Sequence, residues 1–208
     1  MLIDFTKTAL ITLLVTLDPP GLAPVFLSLT KGMTAVARRE VAARAAVIAF
    51  LILAAFSLGG KAALGALGVS FEAFRISGGL LLFAIAFDTL FALRGERKRE
   101  LASDAVSVDR IRNVAAFPLA IPLMAGPGAI TATTLLAGRA AGDWFELAAL
   151  MAVVALAMAL TFVTLLMSER VSRLLGVTGN IVLTRMFGLV LAAMAVQFVI
   201  DGVGAIGR

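Results

Sequence analysis

Long apolar stretches recur along the 208-residue chain, and short polar connectors separate them. Six of these stretches hold about 20 residues or more, the length at which a helix crosses a hydrocarbon core of roughly 30 Å. They cover residues 5–30, 41–58, 69–93, a fourth stretch from 114, 144–167 and 181–203. The pattern predicts an all-α membrane protein with six transmembrane helices, folded as a single transmembrane domain over residues 1–208.

Two of the six stretches carry helix breakers at the depth where a membrane helix is normally continuous. The first contains LDPPG, residues 17–21, and the fourth contains PLMAGPG, residues 122–128, within PLAIPLMAGPG. Proline lacks the N–H that a helix needs, and glycine permits backbone geometry that other residues avoid. Because lipid cannot satisfy the freed carbonyl and N–H groups, each break must face protein or water. We therefore predict that helices one and four are discontinuous.

The two halves of the chain resemble each other weakly. In the interrupted motifs, Pro20–Gly21 matches Pro127–Gly128 at an offset of 107 residues. In spans three and six, Arg75 matches Arg185 and Gly78 matches Gly188, both at an offset of 110. Three spans per half is an odd number, so the second half must enter the membrane from the opposite side. The prediction is two inverted three-helix repeats, residues 1–93 and 114–208, joined by a cytoplasmic loop over residues 94–113.

Charge sets the predicted orientation. The connectors after spans one, three and five hold most of the Lys and Arg residues, and such connectors face the cytoplasm. Both termini are therefore expected on the outer, periplasmic side. This bias also explains the net charge of +5 without a nucleic-acid partner, because no basic surface interleaved with aromatic residues is visible.

The absence of two residue types narrows the possible chemistry. The chain has no Cys and no His, which excludes a thiol nucleophile, an imidazole base and an ordinary zinc site. The hydrophobic share of 61% and the mean hydropathy of +1.05 agree with a membrane protein. We expect no enzymatic activity, no cofactor and no metal.

Charged residues within spans are functional candidates because burying a charge in lipid is costly. Asp18 lies at the first break, and Asp88 lies about two turns from the predicted cytoplasmic end of span three, where it can also reach water. Arg75 and Arg185 lie near span starts, where snorkelling to the interface or a paired role bracing the broken helices would each fit. Asp201, near the outer end of span six, is expected to be solvated.

Small residues form stripes on two predicted spans. They are Ala148, Ala152, Ala155 and Ala159 in span five, and Gly188, Ala192 and Ala195 in span six. Such stripes allow close approach of helix backbones in lipid. We interpret both as helix-packing surfaces and not as sites.

The two interrupted motifs also carry a family resemblance. DPPGLAPVFLSLT and FPLAIPLMAGPGAITATTLL, together with RISGG in span three, resemble the signatures of the MarC/SnatA family of prokaryotic inner-membrane proteins. The resemblance extends over essentially the whole chain. It implies a multi-pass protein of the inner (cytoplasmic) membrane that transports small neutral amino acids such as glycine and alanine, driven by a cation gradient. The family pattern falls on Asp18, Pro19 and Gly21 at one break and on Gly126, Pro127 and Gly128 at the other; Pro20 departs from many relatives.

The leading hypothesis is a secondary transporter that holds its substrate between the two breaks. Asp18 and Asp88 are the candidates for coupling to H⁺ or Na⁺. The candidate substrate-binding residues are Asp18, Pro19, Pro20, Gly21, Leu22, Ala23, Gly126, Pro127, Gly128, Ala129, Ile130 and Thr131. The substrate carboxylate would meet N–H groups at residues 21–23 or 128–130, and its ammonium would meet carbonyls and Asp18. A channel, flippase or exporter of another small polar solute on the same scaffold, an intramembrane enzyme and a structural subunit remain as alternatives.

Overall fold

The computed structural model describes residues 2–91, 113–140 and 143–206, and these contain helices and no strand. Almost all of the predicted cytoplasmic loop therefore lies outside the described residues. The helices are α1 (Leu2–Leu17), α2 (Pro19–Leu29), α3 (Ala35–Ala66), α4 (Phe71–Leu90), α5 (Ala115–Met124), α6 (Pro127–Arg139), α7 (Trp144–Leu166) and α8 (Ser168–Val203).

These helices form membrane-length spans at the predicted places. The α1–α2 pair, α3, α4, α7 and α8 are each long and apolar enough to cross a bilayer. A sixth span results if α5 and α6, which are bent by 57° at their junction, cross together. The prediction of an all-helical, multi-pass membrane protein is confirmed.

Two spans are longer than the hydropathy pattern indicated, because a helix can continue into water beyond the hydrocarbon core. α3 starts at residue 35, where the Thr34 hydroxyl accepts a hydrogen bond from the N–H of Ala37. α8 starts at Ser168 and has a break in its helical geometry at Gly176, whose φ of +58° is a conformation that glycine tolerates. The connector between spans five and six is thus itself helical.

Among the described helices, α4 and α8 form the most extensively packed pair, and they run antiparallel. A Cβ placed on Gly79 would lie 2.8 Å from the carbonyl oxygen of Ala195, and one placed on Gly188 would lie 3.3 Å from that of Ala86. The two backbones approach this closely because both positions lack a side chain. The small-residue stripe of span six therefore packs as predicted.

The stripe of span five does not pack within the chain. Its four members are exposed, and the buried face of α7 carries larger residues instead: Leu150, Val153, Val154, Ala157, Met158, Thr161 and Leu165. The packing interpretation is wrong for this stripe. The sequence pattern misled because alanine fits a lipid-facing surface as readily as a helix interface.

The apolar core has two parts. The larger joins α1, α2, α3, α5, α6 and α7, and the smaller joins α4, α6 and α8 with Val15 of α1. Val15 belongs to the smaller part, whereas Leu17 belongs to the larger. The first break therefore lies where the two parts of the core meet.

The close α4–α8 contact predicts that Gly79→Leu destabilises the protein. The added side chain would collide with the backbone of α8, and overpacking of this kind costs about 1–3 kcal/mol. The apparent Tm of the purified protein in detergent measures the effect. Gly59→Leu is the matched control, because a Cβ on Gly59 of α3 meets nothing within 4 Å. Equal Tm changes in the two variants would contradict the packing.

Candidate functional site

The first break is centred on Asp18, between α1 and α2. Its backbone is left-handed, with φ 51° and ψ 62°, and its side chain is almost completely buried, at 1% exposure. The Asp18 N–H still donates to the carbonyl of Leu14 at 3.0 Å, and the Asp18 carbonyl accepts from the N–H of Leu22 at 3.1 Å. The carboxylate accepts from the N–H of Gly21 at 3.1 Å and so caps α2. The break is therefore a compact, internally bonded turn.

Gly21 makes room for this carboxylate. A Cβ at position 21 would collide with both carboxylate oxygens of Asp18. The glycine is thus required by close approach of a side chain and not by its own backbone conformation. Within the LDPPG motif, the position of the Asp18 side chain therefore requires glycine at residue 21, and the Gly21 N–H in turn has Asp18 as its hydrogen-bond partner.

The first break presents mainly negative polarity. Pro19 and Pro20 have no N–H, and the N–H of Gly21 points to the Asp18 side chain, so the carbonyls of residues 15–17 receive no helical hydrogen bond. Thr184 of α8 adds a hydroxyl that donates to Asp18 Oδ1 at 3.5 Å. Carbonyl and carboxylate oxygens suit an ammonium group or a metal cation.

The second break, between α5 and α6, has the opposite polarity. Gly126 is extended (φ −82°, ψ 172°), and α6 begins at Pro127 with no side chain capping it. The backbone of the next two residues, Gly128 and Ala129, is buried in the first turn. An uncapped helix N-terminus carries a partial positive charge and favours anions.

The fourth span is irregular over a longer stretch than the AGPG motif indicated. Phe117 and Ile121 leave the helical region of backbone space because each precedes a proline. The turns of α5 are also wide, since the N–H of Ala125 donates to the carbonyl of Ala120, five residues back, at 2.8 Å. A Cβ at Gly126 would collide with the carbonyl oxygen of Pro122. The prolines at 118 and 122 thus extend the interruption towards the start of the span.

The two breaks touch each other. A Cβ placed on Gly128 would lie 3.4 Å from the methyl carbon of Thr16, two residues before Asp18, and 2.7 Å from Cδ1 of Ile85 in α4. The oxygen-rich end of α1 and the N–H-rich start of α6 are therefore neighbours. A small zwitterion needs both polarities close together.

The remaining motif residues surround this junction. Leu22, Ala23, Pro19, Ala129 and Thr131 are buried, Pro20 and Ile130 are half-buried, and Pro127 is exposed. The Thr133 and Thr134 hydroxyls donate to carbonyls of their own helix, at 2.6 Å to Ala129 and 2.9 Å to Ile130. These two hydroxyls are thus occupied within α6.

The other predicted charges lie on α4 and α8. Asp88 is half-buried near the end of α4, and Arg185 is exposed on α8. The Arg75 guanidinium lies 5.1 Å from the centre of the Phe71 ring and donates to the backbone carbonyl of Asp201 at 3.4 Å. The hydrogen bond joins α4 to α8, so a bracing role of Arg75 towards α2 or α6 stays a prediction.

A polar cluster at the C-terminal end of α8 was not predicted from the sequence. Asp201, expected to be solvated, forms an ion pair with Arg139 of α6 and accepts a hydrogen bond from the Gln197 amide at 2.7 Å. The Arg139 guanidinium also lies 4.9 Å from the centre of the Phe198 ring. At the opposite end of α8, Glu169 pairs with Arg38 of α3. No sequence spacing indicated partners so far apart in the chain.

Comparisons with known proteins agree with this architecture. The profile of the MarC family of integral membrane proteins matches residues 3–206. The chain belongs to the MarC family. A UPF0056 membrane protein of Archaeoglobus fulgidus is 38% identical, covering 96% of this chain and 92% of its own length. The UPF0056 protein YvbG of Bacillus subtilis is 34% identical over 96% of this chain and 94% of its own length. YhcE of Escherichia coli is 32% identical over 91% of this chain and 87% of its own length.

The names of these relatives identify membrane proteins and specify no substrate. No solved structure matches the chain.

Because Gly21 lies so close to the Asp18 carboxylate, we predict that replacing this glycine with alanine lowers the stability of the protein, which is the opposite of the usual effect in a helix. Gly→Ala at an open helical position stabilises a protein by about 0.5–1 kcal/mol. Gly21→Ala should instead lower the apparent Tm in detergent, because the methyl group displaces the carboxylate that caps α2. Gly65→Ala, at an open position of α3, should leave the Tm unchanged or raise it. A Gly21→Ala protein as stable as Gly65→Ala would contradict the Asp18–Gly21 dependence.

Proposed function

We propose that this MarC-family chain is a secondary active transporter of small neutral amino acids such as glycine and alanine, coupled to a gradient of H⁺ or Na⁺. The observation that carries the proposal is the contact between two helix breaks of opposite polarity. Transporters built on inverted repeats use discontinuous helices in this way, with helix N-termini facing a substrate carboxylate and freed carbonyls facing a cation.

In this proposal, different ends of the substrate bind at the two breaks. A carboxylate at α2 would have to displace the Asp18 side chain from the Gly21 N–H and would be repelled by its charge. The uncapped start of α6, at Gly128 and Ala129, is the better partner for it. The substrate ammonium then faces the Asp18 carboxylate and the carbonyls at the end of α1.

Packing around the junction favours a small substrate side chain. Gly128 is bounded by the Thr16 methyl group on one side and by Ile85 on the other. Glycine and alanine add at most one methyl group to the zwitterion. A larger side chain would require Ile85 or Leu82, which also faces Gly128, to move.

Two observations support the proposed inverted repeat. Gly79 lies close to Ala195, and Gly188 lies close to Ala86. The two glycines are 109 positions apart, and so are the two alanines, as an internal repeat would require. This spacing differs by one residue from the alignment on Arg75 and Arg185. Gly68 and Gly176, ahead of the third span of each half, also both have positive φ, +69° and +58°.

Alternating access in this proposal requires the two ends of the molecule to open in turn. With both termini outside the inner membrane, as the charge bias predicts, the Arg139–Asp201 pair closes the outer end between α6 and α8. The Arg38–Glu169 pair joins α3 to α8 at the cytoplasmic end. Asp18 is the first candidate for ion coupling because it is buried at the break, and Asp88 is the second.

Transport without chemical conversion is part of the proposal. No His or Cys is present in the sequence, and the carboxylate and hydroxyl groups at the breaks are engaged in helix capping and helix backbone bonds. A nucleophile paired with a base, which hydrolysis or group transfer would need, has no counterpart among these groups.

The proposal predicts uptake of radiolabelled glycine and alanine into proteoliposomes under an imposed H⁺ or Na⁺ gradient. Asp18→Asn should abolish the gradient dependence, because asparagine carries no charge, while the cap on α2 is kept. Asp143→Asn is the matched control, since Asp143 also caps a helix but is exposed.

Three outcomes separate the alternatives. Failure of labelled amino acid to move under any gradient would refute transport of this substrate class. Ohmic single-channel currents would identify a pore in place of a transporter. Unchanged gradient dependence in Asp18→Asn would exclude Asp18 as the coupling group.

Opening of the outer end can be followed by thiol labelling, because the natural chain has no cysteine. In an Ala129→Cys background, Asp201→Asn should speed labelling by a membrane-impermeant maleimide added from outside. We expect an increase of about twofold to fivefold, since a partly exposed ion pair contributes up to about 1 kcal/mol. Asp143→Asn in the same background is the control. An unchanged rate would show that the Arg139–Asp201 pair does not hold the outer end closed.

A further inference from the structure

Two open apolar grooves flank one ridge of α3, formed by Ala43 and Val47. The first groove, of about 360 Å³, lies between α3 and α7. The second, of about 510 Å³, lies between α3 and α5, and both grooves share the ridge residues. The helix therefore has a narrow apolar edge with an elongated space on either side of it.

The first groove exists because two members of the α7 small-residue stripe face it. Ala155 and Ala159 leave space where larger side chains would reach α3, and Phe50 and Phe162 form further walls. Its lining is entirely apolar. The groove thus fits a hydrocarbon chain and offers nothing to a polar ligand.

The second groove has a charged end. Arg44 lines it beside Ile48 and Ala115, and the Arg44 Nη2 atom lies 2.6 Å from Glu40 Oε1. Both side chains are 43% exposed. Glu40 is one helical turn, about 5.4 Å, closer to the start of α3 than Arg44 and therefore farther from the apolar middle of the helix.

We propose that this surface binds one phospholipid with an ethanolamine headgroup, with one acyl chain in each groove astride the Ala43–Val47 ridge. In such a lipid the phosphate lies next to the glycerol and the ammonium is outermost. Arg44 is placed to bind the phosphate, and Glu40 to bind the ammonium, in that order along the membrane normal. The order of the two charges matches the headgroup, and the two grooves match its two chains.

A second copy of this chain is the competing occupant. Its helix would have to lie over the ridge and cover the Glu40–Arg44 pair as well as the exposed alanines of α7. Covering two charges with an apolar helix is unfavourable, whereas a zwitterionic headgroup satisfies both. The lipid proposal is also independent of amino-acid transport, because no residue of either break lines these grooves.

Native mass spectrometry of the delipidated full chain tests the proposal. The probes are dioleoyl phosphatidylethanolamine, phosphatidylcholine and phosphatidylglycerol, which share acyl chains and differ only in headgroup. The wild type should retain one phosphatidylethanolamine in preference to the other two. Arg44→Gln should weaken that retention about tenfold, since a charge-assisted hydrogen bond to the phosphate is lost. Arg39→Gln, an exposed arginine of the same helix outside both grooves, is the control.

Two further variants separate the headgroup from the chains. Exchanging the charges, Glu40→Arg with Arg44→Glu, keeps the ion pair but reverses its order, and should abolish the preference for ethanolamine over choline. Ala155→Phe should fill the first groove and lower retention of all three lipids, whereas Ala152→Phe, also exposed on α7 but outside the groove, should not.

The proposal is overturned if the three headgroups are retained equally, or if Arg44→Gln and Arg39→Gln behave alike. It is also overturned if wild-type protein is a dimer that Ala155→Phe converts to a monomer without a change in lipid retention. That result would assign the α7 alanines to a second copy of the chain.

Discussion

The fold depends on how the chain satisfies its backbone at Asp18. Lipid offers no hydrogen bonds, so a span interrupted by two prolines has to supply its own partners. Here a buried carboxylate turns back onto the Gly21 N–H, which is possible only because residue 21 has no side chain. The cap costs a buried charge but lets α2 start directly after α1. That compactness keeps the first break within the core and in contact with the second.

The two breaks differ because they solve the same problem in different ways. At the first, a side chain takes the free N–H group and leaves backbone oxygens without their helical donors. At the second, Gly126 and Pro127 start α6 with no side-chain cap, so its N–H groups keep their positive polarity. The two motifs, which the proposed inverted repeat would make equivalent, thus have complementary electrostatics. A symmetric pair of breaks would bind two like groups, whereas the proposed zwitterionic substrate needs two unlike ones.

The sequence was sufficient for the spans and for the position of the breaks, because hydropathy and prolines act locally. It was insufficient where a partner lies far away in the chain. Arg139 and Asp201 are 62 residues apart, and their pairing follows only from the packing of α6 on α8. The alanines of α7 show the opposite error: their spacing predicted a helix contact that is absent from the described residues, because the spacing does not indicate whether another helix lies beside them. For the site residues, the residue types indicate only whether each group is polar or apolar, and not which role it has.

α8 connects the first break to the ion pairs at both ends of the molecule. Thr184 reaches the carboxylate of the first break, Asp201 holds α6 at one end, and Glu169 holds α3 at the other. Between them α8 lies against α4, where Gly79 meets Ala195 and Val199 of α8 and Gly188 meets Ala86 and Leu90 of α4. In the proposed mechanism, a movement of α8 would change both end pairs and the hydrogen bond to Asp18 together, and would in this way link ion occupancy at the break to opening at the ends.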